Sequence, residues 1–309
     1  MANPQSAIIL EPGESALFMI ARAGSSSAPA IAKVLAQTPA LTGKLAAKYR
    51  QARLVSAVAI GSDFWNALSP SKRPAGLRNF RPISADRLAA PATDGDLLIH
   101  IVSKRTDLNF ELASTLRRAL GETVEVMDEV HGFRYLDSRD LTGFIDGTEN
   151  PKGAKARAEA ALIGSEDRGF AGGSYVFTQR YVHALDRWSA VSVKEQEGAI
   201  GRTKRDSKEL SAKSKPPTAH IARVVIEEEG RELQIVRHSF PYGTTSQRGL
   251  FFIAYCRTLD IPEKMLARMM GTSGDGLHDH LMDFTHAVSG ANFFAPSIEV
   301  LRSLPRLAG

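Results

Sequence analysis

The order of apolar segments in the first 135 residues most constrains the fold. Runs rich in aliphatic residues alternate with segments whose apolar residues recur every three to four positions. These patterns predict, in chain order, a strand at 15–23, a helix at 29–50, strands at 54–61 and 96–104, a helix at 108–120 and a strand at 124–135. The resulting β-α-β-β-α-β order is that of a ferredoxin-like unit.

Local signals refine these boundaries. Pro39 lies inside the first predicted helix and should break it, because proline cannot donate the helical hydrogen bond. Gly121 follows four leucines spaced by four residues and should end the second helix. Four prolines between 69 and 95 predict a long loop.

The second half of the chain repeats this outline less clearly. Strands are predicted at 174–185, 221–228, 232–240 and 249–257, and helices at 187–201, 262–270 and 277–286. A length of 309 residues suits two domains of ordinary size. We therefore predict an α+β protein with two ferredoxin-like domains, 1–140 and 141–309, each an antiparallel sheet with helices packed on it.

Composition excludes several classes of protein. The single cysteine, Cys256, allows no intramolecular disulfide and favours a reducing compartment. The longest aliphatic and aromatic run, 250–256, is far shorter than the roughly 20 residues of a membrane helix. No secretory signal is evident, so we expect a cytoplasmic protein without membrane association. The net charge of +5 is spread along the chain without a nucleic-acid-binding motif, so no nucleic-acid partner is expected.

Asp146 is the first candidate for chemistry. It lies between Gly143 and Gly147 in the segment LTGFIDGTENP. Glycines allow a tight backbone that can approach a ligand closely. An ordinary Asp-Gly turn would produce the same pattern, and the spacing by itself does not separate the two interpretations.

His220 is the second candidate. It follows the segment SKPPTA and is predicted to open a strand. A histidine in this position is commonly a hydrogen-bonded core residue, but imidazole is also a good iron ligand. His100, in an apolar strand, is predicted to be structural, and His183 and His238 have no evident partner in the sequence.

Arg237 lies on the predicted strand 232–240. If that strand alternates, Ile235, Arg237 and Ser239 share one face, and Val236 and His238 the other. An inward-facing arginine needs an anionic partner, for which Asp146 or a ligand carboxylate would serve. The alternative is a solvated arginine at the rim of the sheet.

The segment HDHLMDFTH, 278–286, contains residues that could form a metal site. On a helix, Asp279, Asp283 and His286 would share one face and could hold a divalent ion. A plain polar helix face explains the pattern equally well. One of the two carboxylates could instead orient a ligand histidine.

Five separated segments together resemble the dye-decolorizing peroxidases, and specifically their short bacterial branch without a secretion signal. The resemblance runs from about residue 5 to 302. The segments that carry it are GFIDGTENP (143–151), AIGRTKRDS (199–207), AHIARV (219–224), VRHSFPYG (236–243) and NFFAPS (292–297).

This resemblance implies one haem b per chain and two ferredoxin-like domains. It implies that His220 is the proximal iron ligand, that Asp146 is the distal acid/base and that Arg237 is the distal arginine, which can also anchor a haem propionate. Three further residues, Gly147, Thr148 and Glu149, should pass the haem edge and its propionates. Asp279 should accept a hydrogen bond from the proximal histidine, with Asp283 as the alternative, and Ser239 replaces an asparagine of some relatives.

The implied activity is peroxidase activity. Hydrogen peroxide would be the oxidant, and dyes, phenols or porphyrin-like reductants would be oxidised in single-electron steps through a ferryl intermediate. Two other functions stay open at this point: release of iron from haem, and a haem carrier or sensor without turnover. Relatives form dimers and larger rings, so a homo-oligomer is expected.

Overall fold

The computed structural model describes residues 2–9, 11, 13–93 and 95–308. The first half contains the four predicted long strands and two predicted long helices in the expected order. Its elements are β1 (Ser15–Ala23), α1 (Ala28–Lys48), β2 (Val55–Gly61), α2 (Ser62–Leu68), β3 (Ile83–Ala85), β4 (Leu88–Ala90), β5 (Leu97–Ser103), α3 (Thr106–Leu120) and β6 (Val124–Phe133).

Helix α1 continues through Pro39, so the predicted break is wrong. The helix buries Ile31 and Leu35 before the proline and Thr42 after it. Burial on both sides outweighs the loss of one backbone hydrogen bond. The proline-rich stretch 69–95 is mostly irregular, as predicted, but it contains the short hairpin of β3 and β4.

The second half departs further from the prediction. Its elements are α4 (Gly153–Ala161), β7 (Ser174–His183), α5 (Leu185–Ala190), α6 (Val193–Ile200), α7 (His220–Val224), β8 (Glu227–Glu228), β9 (Arg231–Glu232), β10 (Val236–Arg237), β11 (Phe240–Gly243), β12 (Arg248–Cys256), α8 (Asp260–Met269), β13 (Thr285–Ala287), β14 (Ala291–Ala295) and α9 (Ile298–Leu307).

Four predicted elements of this half differ from the structure. The strand at 232–240 is broken into parts of β9, β10 and β11, and the helix at 187–201 into α5 and α6. The strand at 221–228 is replaced by α7, an irregular segment and the start of a short hairpin. The helix at 277–286 is replaced by a loop, a single 3-10 turn over His280–Asp283 and strand β13. Helices α4 and α9 and strand β14 were not predicted from the sequence.

In the part of the chain that the structure describes, one antiparallel sheet of ten strands joins the two halves. Its order is β10-β12-β11-β6-β1-β5-β2-β14-β7-β13, and β12 also pairs with β7 along its length. That last pairing closes eight strands into a ring. The α+β class with antiparallel strands and packed helices is therefore confirmed, but the strands of both halves belong to a single continuous sheet.

The alternation of side chains along the strands creates two apolar layers. Leu17 and Met19 of β1 face the outside of the ring and pack with residues of α1, α3 and α9. Phe18 faces the inside, where it stacks on Phe251 of β12 with ring centroids 4.2 Å apart. His100 is fully buried in this inner layer, and its Nδ1 lies 2.9 Å from the Tyr255 hydroxyl, so it is a structural histidine as predicted.

Within the described residues, no helix combines the length and the apolar character needed to cross a membrane.

Candidate active site

Seven of the predicted site residues line one cavity. This cavity lies against the outer face of β7, β10 and β12 and is covered by α7, α8 and the loop before α4. The residues are Asp146, Gly147, Thr148, Glu149, His220, Arg237 and Ser239. The eighth, Asp279, lies directly behind His220 and is fully buried. Residues separated by more than 130 positions in the chain therefore form a single site.

His220 is the first residue of α7 and not of a strand, which corrects the prediction. The preceding Ala219 has extended backbone angles, and Ile221 and Arg223 of the short helix are both buried. The imidazole Nδ1 donates to Asp279 Oδ2 over 2.6 Å. Its Nε2 has no hydrogen-bond partner in the described part of the chain, and the ring lines the cavity.

Buried Arg223 holds the segment that carries Asp279. Its guanidinium pairs with Asp275 at 2.7 Å and donates to the carbonyl of Leu277 at 3.0 Å. The Arg223 hydrogen bond keeps the pKa of the Asp275 carboxyl well below its usual range. Asp279 itself accepts from the backbone N–H of Leu281 through Oδ1, which leaves Oδ2 for His220.

Asp283, the predicted alternative partner, does not contact His220. Its carboxylate pairs with Arg87 at 2.5 Å, with His280 at 2.8 Å and with His278 at 3.2 Å. The predicted helical face of Asp279, Asp283 and His286 does not form, because the segment makes only one 3-10 turn. Across residues 2–9, 11, 13–93 and 95–308, no group of three or more His, Cys, Asp or Glu side chains could hold a metal ion by itself.

Two glycines shape the loop of Asp146. Gly143 and Gly147 have φ of 88° and 78°, in the region that favours glycine. The N–H of Gly147 donates to Asp146 Oδ1 over 2.7 Å. The structure therefore contains the tight turn predicted at these glycines, and this turn places the Asp146 carboxylate on the cavity wall.

Arg237 and Ser239 reach the cavity by the predicted alternation. Ile235, Arg237 and Ser239 line it, whereas Val236 and His238 are buried inside the ring. The Arg237 guanidinium forms no ion pair with Asp146 or any other described side chain. Its positive charge is therefore available to a ligand.

The remaining cavity wall is largely apolar. It includes side chains of α7, β12 and α8, namely Ile221, Val224, Leu250, Phe252, Met265, Leu266 and Met269. Arg202 adds a second cation: it pairs with Glu149 and donates to the Ser207 carbonyl at 2.6 Å, while its buried Nε has no hydrogen-bond partner. No role was predicted for Arg202 from the sequence, although this residue lies in the segment AIGRTKRDS.

A buried pair, Asp140 and His183, also lines the cavity. His183 Nε2 lies 3.2 Å from Asp140 Oδ1, and His183 Nδ1 lies 2.8 Å from the hydroxyl of Thr285. Burial raises the pKa of Asp140, but the charge and hydrogen bond of His183 and the hydrogen bonds of Thr142 outweigh it and lower the pKa to about 2. The sequence offered no signal for this pair, because its members are 43 residues apart.

Together these features define a class of protein. An imidazole oriented by a buried carboxylate, with a second carboxylate and an unpaired guanidinium on the same largely apolar cavity, is the arrangement expected of a haem peroxidase.

Comparison with known proteins gives the family. The model of the Dyp-type peroxidase N-terminal domain matches residues 5–134, and that of the C-terminal domain matches residues 137–300. A dye-decolorizing peroxidase of Mycolicibacterium paratuberculosis is 43% identical over 296 residues, which are 95% of this chain and 83% of that protein. The chain belongs to the Dyp-type peroxidase family.

Solved structures agree with this assignment. A dye-decolorizing protein from V. cholerae superposes with a TM-score of 0.90 at 44% identity, over 97% of this chain and 99% of the other. A variant of DypB from Rhodococcus jostii RHA1, solved in complex with heme, superposes with a TM-score of 0.93 at 39% identity, over 97% and 98%. The resemblance found in the sequence is confirmed, as is the enzyme class, a haem-dependent oxidoreductase that uses hydrogen peroxide, at the level of the family.

Proposed function

We propose that this chain binds haem b through His220 and uses Asp146 and Arg237 to activate hydrogen peroxide. One observation carries the proposal. His220, already oriented through Nδ1 by buried Asp279, shares a cavity with Asp146 and an Arg237 that has no ion-pair partner in the described chain.

The cavity lining fits a haem group. Apolar side chains of α7, α8 and β12 suit the faces of a porphyrin, and the Nε2 of His220 suits its iron. Arg202 and Arg237 are cations that can hold propionates, and the Nε of Arg202 is buried without a partner. The backbone of Gly147, Thr148 and Glu149 would pass the haem edge. When bound, haem supplies the iron that binds peroxide and the redox chemistry that oxidises a reductant in single-electron steps.

Asp279 controls the chemistry of His220. Its Oδ2 accepts the Nδ1 proton, so the Nε2 lone pair is left for a metal. A charged acceptor also makes the imidazole a stronger electron donor. Because Oδ1 is held by the Leu281 N–H, the carboxylate cannot rotate away from the ring without breaking a hydrogen bond.

Asp146 and Arg237 divide the work on peroxide. Asp146 would accept the proton of one oxygen of hydrogen peroxide and return it to the other oxygen, which leaves as water. One of its oxygens is held by the Gly147 N–H, and the other has no partner among the described residues. Such proton transfer typically contributes 10²- to 10⁴-fold in rate. The guanidinium of Arg237 would stabilise the negative charge that develops on the leaving oxygen.

Dyes, phenols and porphyrin-like compounds are the proposed reductants. A haem carrier or sensor would need His220 but has no use for Asp146 and Arg237 on the same cavity. Iron release from haem would leave free protoporphyrin after incubation with haem.

The decisive test is the absorption spectrum of the haem-loaded protein before and after addition of peroxide. A histidine-type spectrum that changes with peroxide and returns with reductant is expected, and a spectrum unchanged by peroxide would overturn the proposal.

We also propose two ferredoxin-like domains, 1–140 and 141–309. In each half, the four strands of the ring follow the spatial order fourth-first-third-second: β6-β1-β5-β2 in the first half and β14-β7-β12-β11 in the second. The two family models meet between residues 134 and 137, a few residues before the proposed boundary, which supports a division of the chain into two domains near this point.

A cytoplasmic location and a homo-oligomer, a dimer or larger, complete the proposal. The lone and fully buried Cys256 suits a reducing compartment. Exposed apolar side chains on and just after β6, namely Met127, Phe133 and Leu136, offer a surface for a second copy. Light scattering coupled to size exclusion would measure the mass, and a mass of 33.5 kDa would rule out the oligomer.

A further inference from the structure

The side-chain amide of Asn150 makes two hydrogen bonds to the backbone of Arg237. Asn150 Oδ1 accepts from the Arg237 N–H over 2.9 Å, and Asn150 Nδ2 donates to the Arg237 carbonyl over 2.9 Å. The two residues are 87 positions apart in the chain. One amide therefore satisfies both backbone polar groups of the residue that carries the cavity guanidinium.

The sheet explains why these groups need a partner. Among the described residues, strand β10 pairs only with β12, where Arg237 lies opposite Ala254. In an antiparallel strand, the N–H and C=O of one residue point to the same side. Both groups of Arg237 point away from β12, toward the open edge of the sheet, and β6 contacts this edge only further along, at Tyr242. Asn150 takes the place of a neighbouring strand at Arg237.

Asn150 belongs to the loop of Asp146. Its backbone N–H donates to the Gly147 carbonyl over 3.1 Å and closes a turn directly after Asp146. Pro151 follows and restricts the backbone of Asn150 to extended angles. The amide thus joins the loop that carries the carboxylate to the strand that carries the guanidinium.

We propose that Asn150 is a positioning residue for the peroxide reaction, fixing the carboxylate of Asp146 relative to the guanidinium of Arg237. This inference rests on the proposed function, in which both groups act on one peroxide molecule. Asn150 does not line the cavity that contains His220. Loss of its amide should nevertheless slow the reaction, because a displacement of about 1 Å between reacting groups can cost about 100-fold in rate.

The test compares Asn150→Ala and Asn150→Asp with Arg237→Leu and with the double variant Asn150→Ala/Arg237→Leu. Asn150→Ala should slow the reaction of the haem-loaded protein with peroxide by about 10- to 100-fold. Asn150→Asp keeps the acceptor but places an oxygen against the Arg237 carbonyl, so it should be at least as slow. In the Arg237→Leu background, Asn150→Ala should slow the reaction much less, because the guanidinium that the Asn150 amide positions is already absent.

Two measurements that do not involve turnover accompany the rates. Hydrogen exchange of the haem-free protein should show faster exchange of the Arg237 amide in Asn150→Ala. The His238 amide, which donates to the Ile253 carbonyl within the sheet, should be unchanged. Fluoride binding to the haem-loaded protein, followed by absorption, should weaken in Asn150→Ala in parallel with Arg237→Leu.

The control is Asn79→Ala, which removes an amide that bonds Asp63 on the surface and should leave rates and fluoride binding unchanged. Equal effects of Asn150→Ala in the parent and the Arg237→Leu backgrounds would overturn the proposal, as would an unchanged Arg237 amide exchange rate. An Arg237→Leu protein that reacts at the parental rate would instead refute the role of Arg237 in the proposed function.

Discussion

The imidazole of His220 and the carboxylate of Asp279 meet at 2.6 Å, and the carboxylate is fully buried. A buried carboxylate needs a positive or hydrogen-bonding partner. Asp279 has two, the His220 ring and the Leu281 N–H. The orientation of the ring is therefore set before any ligand enters the cavity.

Asp279→Asn should keep a hydrogen-bond acceptor near Nδ1 but remove the charge. We expect a higher reduction potential of the haem-loaded protein, and a loss of about 10- to 100-fold in haem affinity or activity. Spectroelectrochemistry measures the reduction potential, and haem titration measures the haem affinity. The control, Asp283→Asn, removes a nearby carboxylate that does not contact His220. Equal shifts in the two variants would contradict the role of Asp279.

His220→Ala should abolish the histidine-type absorption spectrum, because no other described histidine of the cavity has a free ring nitrogen. His183 also lines it, but both of its nitrogens have partners. The control is His131→Ala, since His131 is exposed and pairs with Glu129. A normal five-coordinate histidine spectrum in His220→Ala would refute the assignment.

Arg237→Leu should slow the reaction with peroxide at least as much as Asp146→Asn does. Arg202, the other arginine of the cavity, is paired with Glu149, and Ser239 offers only an uncharged hydroxyl, so Arg237 is the arginine of the cavity whose charge is free to act on peroxide. Each variant should lose about 10²- to 10⁴-fold. Stopped-flow rates on fully haem-loaded proteins decide the point. A parental rate for Arg237→Leu beside an inactive Asp146→Asn would reduce the arginine to a propionate anchor.

The Asp140–His183 pair predicts a pH-dependent stability. The pKa of Asp140 is lowered to about 2 from an ordinary 3.8, so its stabilisation is present above about pH 4 and is lost as the pH falls toward 2. The shift corresponds to about 2 kcal/mol. Denaturant unfolding at pH 6 and pH 3 should show a smaller pH dependence for Asp140→Asn than for the parent. Asp186→Asn, at a fully exposed carboxylate, should match the parent.

Phe251→Ala tests the inner layer of the ring. This side chain is fully buried and stacks on Phe18, so its truncation should cost about 3–5 kcal/mol in the free energy of unfolding. Phe110→Ala, at a residue that is 60% exposed, should cost close to nothing. Chemical denaturation measures both, and equal losses would contradict the packing described for the ring.

The prediction from sequence succeeded where periodicity is long and local. Strands β1, β2, β5 and β6 and helices α1 and α3 each carry a sustained pattern, and their predicted boundaries agree with the structure within a few residues. The alternation around Arg237 was also predicted correctly, because two residues per repeat suffice to assign a face.

The prediction failed where tertiary contacts decide. The segment after His220 has the β-branched residues of a strand, yet it starts as a helical turn, since Arg223 must reach the loop of Asp275. The segment 277–286 has helical spacing, yet Asp279 is held by His220 and Leu281. The pairs Asp140–His183 and Asn150–Arg237 join distant positions of the chain, and no local pattern encodes them.

The closed ring of strands has a consequence for fragments of this protein. The four strands β6-β1-β5-β2 meet the second half at both ends, through β11 and β14. Cutting the chain between residues 134 and 137 would therefore leave either fragment with two open strand edges and an uncovered inner layer. Such edges pair with other chains. Separately expressed fragments should aggregate, whereas fragments produced together should reassemble by pairing β11 with β6 and β14 with β2.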